Sequence, residues 1–312
     1  MNDAMQDHLI VVDAASSVTH RQRRLIEDAL EIEAEDAREA GALGYMARAL
    51  AQATLPHTDP KLPPGSLYTR DTGRLTLTVA PTSKKHGIPY GTIPRVVMAW
   101  ICTEAWLKKD RVLSLGHSQK EFLEKIKMNN NGAEIKRFRE QVLRLFKSVI
   151  SVEYSDDREG DLSARLMISD KSHVFWHPKQ DDQRALWESS LELSERFYKE
   201  IVSAPVPIDL RVFHSLSKSP LAMDIYTWLT YRMFVLRQSG RPYVHVPWAG
   251  IKAQFGAGYE DSEKGMSNFR SKFKTRLKEV LLYYPEARDH IDENKECLIL
   301  TPAKLHISPR IK

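Results

Sequence analysis

The sequence predicts an α+β fold in which one order of elements occurs twice, behind a helical, acidic N-terminal arm. Two observations carry that expectation. Residues 138–154, FREQVLRLFKSVISVEY, and the stretch from Phe269, FRSKFKTRLKEVLLYYP, place apolar side chains in one register at a constant offset of 131. Ile135 matches Met266, Phe138 matches Phe269, Val142 matches Phe273 and Phe146 matches Leu277; Val149 with Val280 and Ile150 with Leu281 continue the series. Each stretch also follows a longer helix, a strand-like segment and a short helix. Trp100 and Trp228 precede the first short-helix anchors, Phe122 and Ile251, by 22 and 23 residues. An element order repeated with its spacings nearly intact marks an internal duplication.

Taken in order, residues 18–53 look helical and acidic, with Leu25, Ala29, Ile32, Leu43, Met46, Ala47 and Leu50 as an intermittent apolar stripe. Gly41 and Gly44 break it into two pieces. The Pro-rich segment 56–73 reads as a linker. Residues 74–80, RLTLTVA, alternate as a half-buried strand does. A helix follows over 94–109, with Thr92 as N-cap and Pro94 in its first turn. After a strand-like VLSL, the sequence from Ser118 to Glu121 forms a capping box that opens the short helix. Asn129, Asn130, Asn131 and Gly132 make a turn before the first long helix, and residues 149–154 and 162–168 read as a hairpin.

The second copy starts with a helix over 219–237, capped by Ser219 with Pro220 at its first position. The strand VHV, the short helix PWAGIKAQFG and a polar turn lead to the second long helix. Its hairpin is expected around residues 281–284 and 297–300, turning near Asp292, Glu293 and Asn294. Helix, short strand, helix, turn, longer helix and hairpin is the order of a winged helix-turn-helix, whose third helix enters a DNA major groove. Tandem winged helix-turn-helix domains are therefore expected, with boundaries at 1–73 for arm and linker, 74–172 for the first domain, 173–190 for a connector and 191–312 for the second.

Charge points the same way. Residues 1–60 carry five Arg and no Lys against eleven Asp or Glu, whereas residues 61–312 carry 41 basic and 30 acidic residues. A basic body suggests a polyanionic partner. At 100° per residue, Lys136, Arg137, Glu140, Arg144 and Lys147 lie opposite the apolar face of the first long helix. On the second, Lys264, Ser267, Asn268, Ser271, Thr275 and Lys278 point outward, flanked by Arg270 and Lys274. Asn pairs bidentately with adenine and Arg with guanine, while Lys chiefly neutralises phosphate. These are the candidate DNA-binding residues. Lys84 and Lys85 beside His86, and Arg158 in the first wing, are candidate phosphate contacts.

Other chemistries lack their residues. There is no GxxxxGK[ST] for nucleotide phosphates, and no HxH for a metal-dependent nickase. His173 and His177 flank the β-rich VFW, which reads as an aromatic connector and not a ligand helix. Cys102 and Cys297 are far apart in apolar surroundings, so neither a disulfide framework nor a CxxC zinc site is expected. Asp3 and Asp7 precede the short N-terminal apolar patch, unlike a signal peptide, and no run reaches the ~18 apolar residues of a membrane span. The expectation is a cytoplasmic, non-enzymatic protein without metal or cofactor.

Several longer stretches carry a family resemblance: GIPYGTIPRVVMAWICTEAW, SLGHSQKEFLEKIKMNNNG, FWHPKQDDQRALWESSLELSE, SAPVPIDLRVFHSLSKSPLAMDIYTWLTYR and VPWAGIKAQFGAGY. Over residues 75–307 the chain resembles plasmid replication initiators of the RepA type. The resemblance implies a protein that binds double-stranded DNA at direct repeats of a plasmid origin, promotes local opening and recruits the host helicase or initiator. It also implies switching between homodimer and monomer, and autorepression. A sequence-specific transcriptional repressor without an initiator role is the alternative; it would use a symmetric dimer on a palindrome. A nicking enzyme would form a tyrosyl–DNA adduct.

Overall fold

The computed structural model describes residues 19–73, 75–82, 84–128, 132–154, 162–166, 168–173 and 189–307. The arm contributes helix α1 (His20–Glu33), opened by a capping box in which the Thr19 hydroxyl accepts from the Gln22 amide and the Gln22 side chain accepts from the Thr19 amide. Residues 43–53, expected as more of the helical arm, are instead strand β1 (Leu43–Ala47) followed by the short helix α2 (Arg48–Gln52). The cause lies far along the chain: β1 pairs antiparallel with Pro205–Asp209, which satisfies its backbone groups without a helix.

The expected linker is built into the body. Its last part is strand β2 (Tyr68–Asp71), paired with β3 (Leu75–Pro81), and β3 buries Leu75, Leu77 and Val79 in the alternation its sequence predicts. At its start, the Pro56 carbonyl and that of the preceding Leu55 accept from the buried Arg95 guanidinium at 3.3 and 2.7 Å. A chain in irregular conformation has carbonyls to spare, and a buried guanidinium needs acceptors for all its donors.

The first repeat follows as α3 (Thr92–Lys108), β4 (Val112–Gly116), α4 (Gln119–Lys125), α5 (Gly132–Phe146) and the hairpin strands β5 (Ser148–Tyr154) and β6 (Leu162–Leu166). Gly91, at φ 80, takes the N-cap position expected of Thr92, which is the first helical residue. Ser118 caps α4 as expected, its hydroxyl accepting from Glu121 N at 3.1 Å, but the reciprocal half of the capping box is displaced by one residue: the Glu121 carboxylate accepts from the His117 amide at 2.9 Å. Val149, expected on the inward face of the long helix, belongs to β5: the helix stops at Phe146 and the β-branched run continues as strand. Two further strands, β7 (Ser169–His173) and β8 (Ser189–Leu193), flank residues outside the described set. Residues 189 and 190, expected in the connector, are part of β8. Arg158, His177 and the triple-asparagine turn lie outside the described residues.

Helix α6 (Glu195–Ser203), strand β9 (Pro205–Asp209) and the short helix α7 (Leu210–Ser215) lead to the second repeat. That repeat comprises α8 (Pro220–Gln238), β10 (Val244–Pro247), α9 (Trp248–Phe255), α10 (Glu263–Tyr283), β11 (Ile291–Glu293) and β12 (Cys297–Leu300). The Ser219 hydroxyl caps α8 as the sequence predicts, accepting from Ala222 N at 3.2 Å. Residues 281–283, expected as strand, remain helical. Leu277, Val280 and Tyr283 bury one helical face, and Pro285 removes the next backbone donor and ends the run. The hairpin therefore starts at Ile291, and its turn falls at Asn294, Lys295 and Glu296.

Strand pairing separates the two repeats. β10 joins the hairpin as a three-stranded antiparallel sheet in the order β10-β12-β11. In the first repeat β3 pairs with β5, the first hairpin strand, giving the order β2-β3-β5-β6, whereas β10 pairs with the second hairpin strand; β4 pairs with β8 and not with the hairpin. Both first helices are sheathed on nearly all sides. Residues 96–99, 101 and 102 of α3 are buried, as is every residue of α8 between Leu221 and Thr230. A helix apolar all round is a core helix. Buried apolar side chains form one continuous cluster from Leu25 to Ala303.

Candidate nucleic-acid interface

In the first repeat, α5 turns Phe138, Val142, Leu145 and Phe146 inward, all buried, and leaves Lys136, Arg137, Glu140 and the following Lys147 exposed. Arg144 behaves differently. Its guanidinium donates to the Ile88 carbonyl at 3.1 Å, pairs with Glu140, and lies 5.3 Å from the centre of the Tyr90 ring. The neighbouring Gln141 side chain accepts from Tyr90 N at 2.8 Å. At the other end of the loop, Thr82 donates through both its amide and its hydroxyl to the Lys147 carbonyl, at 2.8 and 2.9 Å.

The loop carrying Lys84, Lys85 and His86 is thereby fastened to the end of α5. His86 is held below its ordinary range first by burial and then by the charges of Lys85, Lys147 and Arg144. Lys85, His86, Arg144 and Lys147, distant in sequence, thus form one electropositive cluster.

In the second repeat, Ser262 caps α10 by accepting from Gly265 N at 3.0 Å. Phe269, Phe273, Leu277 and Val280 are buried, whereas Lys264, Asn268, Ser271, Thr275 and Lys278 are exposed, as the helical period predicts. The Thr275 hydroxyl donates to the Ser271 carbonyl at 2.9 Å. Arg270 and Lys274 turn sideways to the hairpin. Arg270 donates to the carbonyls of Asn294 and Lys295 at 3.1 and 3.0 Å and stacks on Trp248, 4.8 Å from the ring centre. Lys274 pairs with Glu293 at 2.8 Å. These contacts hold helix and hairpin as one surface. Sequence reasoning passed over two exposed cations here, Lys272 on the helix and Lys295 in the hairpin turn. Lys295 follows Asp292 and Glu293 in sequence, so local charge counting hid it.

The arm helix packs against the other end of α10. Leu25 and Ala29 are buried, and Arg21 pairs at 3.1 Å with Glu279, which also binds Arg276. The exposed positions from Lys264 to Thr275 lie N-terminal to that contact.

Among the described residues, no group of three His, Cys, Asp or Glu side chains is placed to hold a metal ion, and no helix is long and apolar enough to cross a membrane. Cys102 and Cys297 are buried free thiols, and burial pushes Cys102 up to about 12.

The fold and its surface define a mixed α+β protein with one outward-facing basic helix in each half. Residues 88–249, just over half of the chain, match the family described as plasmid-encoded RepA protein. The chain belongs to that family and is a RepA-type plasmid replication initiator. The matched segment holds α3 to β10 and ends before α10. Two crystal structures of domains 2 and 3 of RctB, one a selenomethionine derivative, are similar at 13% and 12% identity with a TM-score of 0.48; the alignments cover 83% of this chain and 96% and 98% of theirs. No curated protein matches the chain.

Proposed function

We propose that each repeat is a winged helix-turn-helix and that the chain initiates replication by binding direct repeats at a plasmid origin. α5 and α10 are the recognition helices in this reading. The observation that carries it is the second repeat: α10 presents Lys264, Asn268, Ser271 and Lys278 to solvent while Arg270 and Lys274 brace it against the β11–β12 hairpin. An amide and hydroxyl on an exposed helix suit base edges, and flanking ammonium groups suit phosphate. In the first repeat, the Lys84–Lys85 loop and Lys147 supply phosphate contacts beside α5.

Two winged helices in one chain would read successive major grooves, each half of a ~20 base-pair repeat with a different helix. Several copies on adjacent repeats would strain the duplex and favour opening at flexible flanking steps. Recruitment of the host helicase or initiator follows in the same scheme, and the chain acts by binding without a reaction of its own. Footprinting on DNA flanking the gene tests the proposal. Protection of regularly spaced direct repeats supports it; protection of a single palindrome replaces it with the repressor reading.

A further inference from the structure

The Pro-rich segment leaves the body after Pro56, whose carbonyl accepts from the Gly91 amide at 3.0 Å, and rejoins it at strand β2. Between these anchors, residues 61–65, Lys-Leu-Pro-Pro-Gly, are all exposed, and so is Leu67. The protruding turn is well determined by its own bonds. Asp59 accepts from the Lys61 amide at 2.9 Å, and the Ser66 amide donates to the Pro63 carbonyl at 3.0 Å. Pro64 and Gly65, the latter at φ 85, fill the central positions as a type II turn favours. Leu62 and Leu67 stand on either side of it, 40% and 58% exposed. One exposed leucine is ordinary surface. Two of them flanking a fixed Pro-Pro turn make an apolar tip that stands clear of the core.

The base of the tip is basic. A β-carbon on Gly65 would lie 3.4 Å from Lys84 Cγ, so the turn rests on the stem of that lysine. Lys84 belongs to the loop fastened to the end of α5, where Lys85, His86, Arg144 and Lys147 form the electropositive cluster. Lys61 adds an exposed ammonium at the start of the turn. Cations draw the tip to a polyanion, but phosphates offer nothing to a leucine. Beside phosphates, an apolar side chain gains only by reaching base faces, which a duplex exposes when a step is unstacked from its minor groove. Leu and Pro serve as such wedges, and lysine suits the negative potential of a narrow A·T groove.

We propose that the turn over residues 61–67 enters the minor groove next to the groove met by α5. Leu62 and Leu67 wedge against an unstacked base step, and Lys61 and Lys84 hold the flanking phosphates. The assignment rests on α5 as a helix that meets duplex. It gives the strain needed for origin opening a specific lever, and that lever costs least at flexible TA or CA steps.

The test uses the full chain and an end-labelled duplex carrying the protected repeats, with 2-aminopurine at an A·T step beside them. Binding of the parent should raise the 2-aminopurine fluorescence, as unstacking does, and bend the duplex by about 20–90°, read by energy transfer between its ends. The double variant Leu62→Ala/Leu67→Ala should lose both signals while melting at the parent's temperature and protecting the same repeats. Leu62→Met/Leu67→Met should retain both, since methionine wedges as leucine does. Three results would each overturn the proposal: repeats protected by the parent with no rise in fluorescence, equal bending by the double alanine variant, or a lowered melting temperature in that variant, which would make the leucines part of the core. Leucine-dependent unstacking without preference for the repeats would sink the recognition-helix reading and leave the wedge standing.

Discussion

The Arg95 guanidinium meets the Asp224 carboxylate through two hydrogen bonds of 2.7 Å, joining the first helices of the two repeats inside the core. Arg95 also donates to the carbonyls of Leu55, Pro56 and Gly91, and His57 Nε2 lies 2.8 Å from the same carboxylate. Burial works to raise the Asp224 pKa, but the Arg95 charge and the hydrogen bonds from His57 and Arg95 outweigh it, and the carboxyl titrates below its usual range. A second arginine ties the halves in the same manner. Arg70, 4% exposed, leaves β2 to donate to the carbonyls of Ala253 and Gln254 at the end of α9.

Removing one member of the central pair strands the other as an unpaired buried charge. Arg95→Ala and Asp224→Ala should each destabilise by about 3–5 kcal/mol. The double variant should lose clearly less than the sum, because neither charge is then left alone. Urea denaturation of the four proteins measures both quantities. Additive losses would show that the two side chains do not act as a pair.

Stability should fall as pH drops below about 6.5. Burial holds His57 below its ordinary range against the raising effect of Asp224, and burial lowers His214 and His306 as well. The unfolded chain binds these protons at pH values where the folded chain does not, so acid favours unfolding through this window. Asp224, also lowered, keeps its contribution above the unfolded value of 3.8 and loses it only at more acid pH. His57→Gln keeps a side chain able to donate to Asp224 but cannot titrate. Its stability should vary less steeply between pH 7 and pH 5, as denaturation at several pH values would reveal.

Arg270 and Asn268 are neighbours on α10 with separable tasks. Arg270→Ala removes the link from helix to hairpin and should lower both duplex affinity and folding stability, the latter by about 1 kcal/mol for two exposed hydrogen bonds and the stacking on Trp248. Lys at this position should rescue little, since it cannot fork to two carbonyls while lying on Trp248. Asn268→Ala should leave the melting temperature within error and weaken specific binding by about 1–3 kcal/mol if its amide pairs with a base. Gel-shift titration beside thermal melting distinguishes them. Lys278→Ala should reduce affinity for all sequences alike and lower the slope of log K against log salt by about 1.

Gly265 opens α10 where the chain doubles back on itself. A β-carbon there would lie 2.1 Å from the Glu260 carbonyl oxygen, so Gly265→Ala forces backbone to move. Lys252 holds the same turn, donating to the Glu260 carbonyl and to Asp261 at 2.7 and 2.6 Å. The substitution should lower the melting temperature despite alanine's higher helix propensity. A rise would mean that the turn yields easily.

Helical period alone placed the inward residues of α5 and α10: Phe138, Val142 and Phe146 and their counterparts Phe269, Phe273 and Leu277 are all buried. Likewise Ser118 and Ser219 marked two helix starts correctly, because a cap is made by residues three apart. The same local reasoning failed where a segment's partner was remote. It carried the helical arm through β1, made a linker of a segment that holds strand β2 and starts at the Pro56 carbonyl bound by Arg95, and read strand in residues 281–283. The sequence also put Arg144, Arg270 and Lys274 among the exposed cations of their helices, and nothing local indicated that each would turn to a loop or hairpin.

By itself, the sequence determined the duplicated element order, the buried faces of the long helices and the unequal charge of arm and body. Tertiary structure decided which strands pair, which cations are committed to internal acceptors and how the two first helices are joined. The division follows range: periodicity and caps act within a few residues, whereas a strand edge or buried charge is satisfied by whatever the fold brings beside it.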